Sequence, residues 1–314
     1  MILNIAMTGA TGFLGSHLME SLNKEKLTII GRNPPPFFKG DFQYLDISEQ
    51  LNVPLNLANV DVVIHCAARV HIMNEAASDP LTEFRTVNTL GTINLAKQAA
   101  QAGVKRFIFL SSIKVNGEST SGKDPFTASV NSAAEDPYGI SKAEAEQQLL
   151  ELSKHTGMEV VIIRPPLVYG EGVKANFASL MRFVDKGLPL PFRAITSNKR
   201  SLVSVYNLVD LIKVCIEHRK AANQVFLASD DYDLSTAEMV ALMAKVQDKK
   251  NLALPIPVWC FKLAGKLFNK NDIIDRLTGS LQLDISHTKS TLGWTPPYSV
   301  DYGFKLAAKK PSTE

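Results

Sequence analysis

Six short apolar runs punctuate the first half of the chain: LNIAM, LTII, FQYL, DVVIHCA, RFIFLSS and EVVIIRP. They are rich in Val, Ile and Phe, and most are near-continuous rather than one-sided, the pattern of strands covered on both faces. Between several of them apolar residues recur at three- and four-residue spacing, which predicts helices over 13–24, 81–102 and 138–156. Buried strands alternating with amphipathic helices predict an α/β, doubly wound parallel sheet.

After Arg164 the pattern loosens. PPLVYGEGVKANF reads as loop, and FASLMRFVDKG as a helix stopped by Gly187. RSLVSV and NQVFLAS read as strands. NLVDLIKVCIEHRK reads as a helix opened by Asn207, and DLSTAEMVALMAKVQ as one capped by Ser235 or Thr236. DISHTKSTLGWTPP is a short helix stopped by Gly293 and two prolines. The expected division is a first domain over 1–165, completed by parts of 200–230, and a smaller C-terminal α/β domain over 166–314, with the crevice between them as the default site.

Composition narrows the function classes. The 314 residues are 45% hydrophobic and 21% charged, with a net charge of +3 and no basic block. Nothing in that balance implies nucleic acid or an anionic membrane as partner. Cys66, Cys215 and Cys260 lie far apart without a CxxC, which reads as reduced thiols in a cytoplasmic protein; no metal-ligand spacing accompanies them. The N-terminus carries no signal-peptide pattern, and no apolar run approaches the ~20 residues of a membrane span. LALPIPVWCFKLAGKLF, 252–268, is the most apolar stretch of the second half; it reads as a core or interface helix, with an interfacial membrane helix as the alternative.

MTGATGFLG sets Gly9, Gly12 and Gly15 between the first strand and the first helix. Glycines there permit a tight turn and close backbone approach, and the helix N-terminus offers free N–H groups to a pyrophosphate. In the first βα unit of such a sheet this predicts a dinucleotide cofactor and a Rossmann-type domain. EDPYGISK opens a helix, with Asp136 as cap and Pro137 at the first position, and sets Tyr138 and Lys142 on one face. An ammonium beside a phenol, with an oxidised nicotinamide, favours phenolate and draws the tyrosine toward neutrality as an acid/base. RFIFLSS ends in Ser111 and Ser112 at the carboxyl edge of a strand, where open α/β sheets hold ligands.

Together TGATGFLG, YLDI, HCAA, VNTLGTINL, LSSIKVNG, YGISK, IIRPPLVYGEG, KRSLVSVYNLVDLI and LGWTP resemble the extended short-chain dehydrogenase/reductase family, in its NAD-dependent epimerase/dehydratase group. The resemblance covers essentially the whole chain. It implies that Gly9, Gly12 and Gly15 form the pyrophosphate turn, with Thr11, Phe13 and Leu14 also binding the cofactor. Asp46 and Ile47 would meet the adenine, Ala67 and Ala68 would line the cofactor, and Asn88, of the helix beneath the active site, and Ser111 would bind it too. Pro165 would sit beside the nicotinamide amide. Tyr138 would be the acid/base, Lys142 its tuning partner on the nicotinamide ribose, and Ser112 would orient the substrate hydroxyl. In the C-terminal, nucleotide-sugar-binding domain, Asn176 would bind the UDP-sugar substrate, and Arg200 and Arg276 would clamp its diphosphate. Homodimers built on the helices at 81–102 and 138–156 are a family habit.

Two positions depart from the sugar 4-epimerase pattern, Asn116 in place of a tyrosine and Lys114 in place of an alcohol, and Leu281 stands near a size-gating position. A further departure is in the cofactor half. TIIGRNPPP ends the second strand with Gly31-Arg32-Asn33, where NAD enzymes usually place an acid for the ribose. An arginine suits a 2′-phosphate, so Arg32 favours NADP(H), with NAD(H) as the other choice. That expectation, with an overall likeness to bacterial O-antigen proteins, leads to reduction of a UDP-4-keto-6-deoxy-N-acetylhexosamine as the first reading. The alternative is a UDP-glucose or UDP-N-acetylglucosamine 4-epimerase with tightly bound NAD. A non-catalytic cofactor-sensing protein is a distant third, disfavoured because Tyr138 and Lys142 are both present.

Overall fold

The computed structural model describes residues 2–49, 54–70, 79–130 and 133–309. The first half runs β1 (Asn4–Thr8), α1 (Phe13–Ser21), β2 (Lys26–Gly31), β3 (Asp41–Tyr44), β4 (Val62–His65), α2 (Pro80–Phe84), a π-helical turn (Arg85–Gly91), α3 (Thr92–Gln101), β5 (Arg106–Leu110), α4 (Pro137–Thr156) and β6 (Glu159–Arg164). The second half adds β7 (Leu167–Tyr169), α5 (Ala175–Asp185), β8 (Arg200–Ser204), α6 (Val205–Glu217), β9 (Gln224–Leu227), β10 (Asp233–Leu234), α7 (Thr236–Val246), α8 (Val258–Leu267), α9 (Asn271–Thr278), α10 (Ser286–Leu292) and α11 (Val300–Ala307).

A seven-stranded parallel sheet in the order β3-β2-β1-β4-β5-β6-β9 forms the centre. The order reverses between β1 and β4, and ligands of open α/β sheets collect at the carboxyl ends beside such a switch. Every residue of β4 and β5 is buried, as continuous apolar runs require. One face packs on α1 and α6, the other on α3 and α4. A small sheet, β10-β8-β7, lies with α5, α7 and α11 around a third apolar cluster.

Several expectations change. The helix expected over 81–102 is interrupted at its first third by π-helical hydrogen bonding, which sets Asn88 facing inward and buried. PPLVYGEG, read as loop, holds strand β7, because its three residues pair with β8. Ser204, not Asn207, caps α6: its hydroxyl accepts from the Asn207 N–H, freeing the Asn207 amide to donate to Asp230 and the Tyr298 carbonyl inside the protein. Asp136 takes the cap position of α4 without bonding the helix, its carboxylate instead facing Lys114 at 3.2 Å. Ser235 caps α7 as one of the two expected residues, in a reciprocal box with Glu238. Of the stretch at 252–268, Ala253 joins the third apolar cluster, but α8 is not a core helix: its Trp259, Leu263 and Leu267 face outward.

Candidate active site

The glycine turn is built by contact. Gly9 has φ +73°, and a Cβ there would lie 2.6 Å from the Ala67 nitrogen. A Cβ on Gly15 would lie 2.0 Å from the Gly9 carbonyl oxygen, so only glycine lets α1 start this close to the end of β1. Gly12 opens α1 with no side-chain cap, leaving the first-turn N–H groups for an anion. They face a cleft of about 700 Å³. Thr11, Phe13, Leu14, Ile47, Ala67 and Ala68 line the same cleft, and so do Arg69 and Val87, which the sequence did not single out. Length, glycine cradle and helix terminus fit a dinucleotide.

At the adenosine end Arg32 and Asp46 share one wall. The Asp46 carboxylate accepts from the Ser48 N–H and hydroxyl, at 2.9 and 2.6 Å, and these bonds, with the Arg32 charge beyond them, hold its pKa below the usual carboxylate range. The end of β2 thus has no acid of its own, and Asp46, following β3, lines the same cleft without an ion pair to Arg32. A 2′-phosphate at Arg32 would also feel the Asp46 charge, which weakens the ground for preferring NADP.

The chemistry end gathers Ser112, Tyr138 and Lys142 beyond the ends of β4 and β5. Ser112 hydrogen-bonds the Tyr138 phenol, whose ring packs edge-on against Phe84, centroids 5.8 Å apart. Burial pushes the phenol up to about 12; Ser112 opposes this and Asp136 adds to it. In the chain by itself Tyr138 is thus a phenol: burial outweighs Ser112, and the Lys142 ammonium expected to activate it is not among the groups that shift it. Lys142 is 1% exposed. Its Nζ donates to the Leu110 carbonyl at 2.8 Å and lies 4.3 Å from the centre of the Phe109 ring. Burial brings its pKa down to about 7, with Cys66 and Glu146 pulling the other way.

Two buried polar networks support this trio, and sequence reasoning missed both. Glu146, one turn beyond Lys142 on the same face of α4, accepts from Ser111 and forms a fully buried pair with Arg164. Arg164 also donates to Asn116 Oδ1 and the Ala128 carbonyl, each at 3.0 Å. The available signal was a charge ending an otherwise apolar strand, which must be paired inside. The second network starts at His65. Thr92 Oγ1 donates to the Asn88 carbonyl at 2.7 Å, so His65 Nε2 carries the hydrogen toward Thr92, 2.9 Å away. His65 Nδ1 then accepts from the Thr8 hydroxyl at 2.7 Å, and Thr8 accepts from the Ala67 N–H. Burial, with Lys142 nearby, brings the imidazole down to about 3, so it stays neutral. The Asn88 amide donates to Ser141 Oγ at 3.1 Å, and Ser141 donates to the Tyr138 carbonyl at 2.8 Å.

The remaining positions are less convergent. Pro165 follows β6, its carbonyl accepting from the Ile113 N–H at 3.0 Å. Arg200 Nη1 donates to the carbonyls of Arg276 and Gly279, at 2.9 and 3.3 Å. Burial and the Arg276 charge lower its pKa, and among the described residues neither arginine has a carboxylate partner. Two like charges so held suit an anion. Asn176 stands exposed in the first turn of α5. The expected sugar-facing departures resolve differently. Asn116 is 3% exposed and donates to the Thr127 and Ser129 carbonyls, so it pins a loop. Leu281 is buried in the main core beside β8, and Lys114 pairs with Glu118 and Asp136.

Comparison with known proteins settles the family. Residues 5–228 match the model of the NAD dependent epimerase/dehydratase family. The chain belongs to that family. This epimerase/dehydratase-family enzyme is 58% identical over 310 residues to a UDP-glucose 4-epimerase of Vibrio cholerae, covering 98% of this chain and 94% of that one. It is 27% identical over 321 residues to the N-acetyl-alpha-D-glucosaminyl-diphospho-ditrans,octacis-undecaprenol 4-epimerase of Escherichia coli O157:H7, covering 96% and 92%. Among solved structures, the UDP-glucuronic acid 4-epimerase of Bacillus cereus in complex with NAD superposes with a TM-score of 0.78 at 20% identity, covering 98% and 97%. These relatives favour the epimerase reading over the 4-ketoreductase placed first from sequence, and they lend no support to NADP.

Proposed function

We propose that the protein is an NAD-dependent 4-epimerase of a UDP-activated hexose or N-acetylhexosamine. The likeness to the Vibrio cholerae epimerase along nearly the whole chain carries this reading.

Gly9, Gly12, Gly15 and the first turn of α1 would hold the pyrophosphate, Asp46 and Ile47 the adenosine, and Lys142 the nicotinamide ribose. NAD bound there supplies a hydride acceptor that can return the hydride to either face of a planar ketone. Tyr138 holds the proton of the C4 hydroxyl at its phenolic oxygen, taking it as hydride leaves C4 and giving it back as hydride returns. Ser112, already bonded to that phenol, orients the hydroxyl. Lys142 and an oxidised nicotinamide would together supply the positive charge that draws Tyr138 down from its buried value. The bond from Lys142 to the Leu110 carbonyl fixes where its part of that charge lies. The Arg200–Arg276 pair would meet the diphosphate and Asn176 the rest of the nucleotide sugar, in a substrate domain spanning 166–314 against a cofactor domain of 1–165 completed from 200–230. β9 joins the first sheet and α6 packs against it, which supports that division. A role in polysaccharide precursor synthesis in the cytoplasm, as a homodimer, completes the reading.

Denaturing the purified enzyme and identifying the released nucleotide tests it. Stoichiometric NAD, with interconversion of a UDP-sugar and its C4 epimer without added cofactor, is expected. An empty site with NADPH-dependent consumption of a 4-keto sugar nucleotide would return the reductase.

A further inference from the structure

Helix α8 is buried on one side only. Gly265 packs where a Cβ would meet Ile274 of α9 at 2.9 Å, and Phe261 stacks on Phe192, centroids 6.0 Å apart. The opposite side repeats an apolar residue every fourth position: Trp259, Leu263 and Leu267 are 66%, 61% and 77% exposed, and Phe268 at the helix end is 68% exposed. The chain's other tryptophan, Trp294, is 4% exposed. Isolated surface leucines are ordinary; a tryptophan and two leucines on one stripe, with an exposed phenylalanine at the helix end, are not. Among the described residues nothing covers the stripe.

Charge says what would. At the helical period Lys262 and Lys266 fall along one edge of the stripe, and Lys270 follows Phe268; all are exposed. Between Asp248 and Asp272 the sequence contains no acidic residue. A two-fold contact with a second copy would bring these lysines toward one another. A negatively charged apolar layer satisfies both halves of the pattern: the rings and leucines enter it, and the lysine ammonium groups stay at its polar boundary. With 10 residues, α8 is about 15 Å long, half of a bilayer's ~30 Å core, so it can only lie along the surface. No helix among the described residues is long and apolar enough to cross.

We propose that the α8 face docks on an anionic lipid bilayer surface, with Trp259, Leu263, Leu267 and Phe268 in the acyl boundary and Lys262, Lys266 and Lys270 among the headgroups. The stripe lies outside the dinucleotide cleft, so docking and turnover are separable.

Flotation of the whole protein tests this, using vesicles of phosphatidylglycerol and phosphatidylcholine in equal parts, and phosphatidylcholine alone. The protein is expected to float with the mixed vesicles, to float weakly with the neutral ones, and to be released by salt. Trp259 emission should shift to the blue on binding, while the buried Trp294 contributes a constant background. The pair Leu263→Ser with Leu267→Ser keeps the reporter and should abolish flotation with turnover unchanged. Lys262→Gln and Lys266→Gln should each weaken partitioning about 5-fold. Three results overturn the proposal: wild-type protein that stays unbound with mixed vesicles at low salt, a serine pair that floats like wild type, or sedimentation in which the serine pair lowers the number of copies per assembly.

Discussion

The Lys142 ammonium nitrogen, on a side chain that is 1% exposed, lies 2.8 Å from the carbonyl oxygen of Leu110. Burial lowers its pKa from 10.5 to about 7. The folded chain therefore binds fewer protons than the unfolded chain between those values, and stability rises with pH across that window. Below it both states carry the charge and the full burial cost stands. In protein stripped of dinucleotide, the melting temperature of wild type relative to Lys142→Met should climb as pH rises from about 7 to about 10. A difference that stays flat would mean that Lys142 keeps its ordinary proton affinity.

Tyr138→Phe should lower turnover by about 10²–10⁴-fold, the usual worth of a positioned acid/base. The ring still packs on Phe84, so the melting temperature and the amount of dinucleotide carried through purification should be unchanged. Turnover within a few-fold of wild type would remove Tyr138 from the mechanism.

Much of this was legible before the fold was seen. The sheet, the glycine turn and the Tyr138–Lys142 pair are local patterns, written by strand composition and by spacing within one turn or one helix. What could not be read is what tertiary packing decides. Arg32 is a lone arginine in sequence; only the parallel pairing of β2 with β3 brings Asp46 beside it. Asn116 and Leu281 looked like substrate-facing choices, yet Arg164 and the edge of β8 claim them. The stripe on α8 has the composition of a core helix, and its exposure depends on which neighbours leave it uncovered.

The Arg32–Asp46 relationship makes a cofactor prediction. Asp46→Asn keeps an oxygen for the Ser48 N–H and removes the charge that faces Arg32. Binding of NADP relative to NAD, followed by thermal shift, should improve about 5-fold, the scale of an exposed charge pair. No change would mean that Asp46 does not govern what Arg32 can hold.

Glu146 and Arg164 are both almost fully buried. Glu146→Gln leaves the guanidinium without its counter-charge and should cost about 3–5 kcal/mol in urea denaturation. Replacing both, Glu146→Leu with Arg164→Met, should recover a good part of that loss, since no charge is then stranded. A double variant as unstable as the single one would point instead to the bonds from Arg164 to Asn116 and Ala128.

The row through His65 has a sense as well as a set of members. Ala67 gives to Thr8, Thr8 to His65, His65 to Thr92, and Thr92 to the Asn88 carbonyl, every hydrogen pointing the same way. Turning one link round would set two hydrogens, or two lone pairs, face to face at the next. The strand that ends in the glycine turn and the π-helical turn that carries Asn88 are therefore keyed to each other by polarity. Methyl groups filling the same volume could hold them together equally well, but could not tell one end of the row from the other.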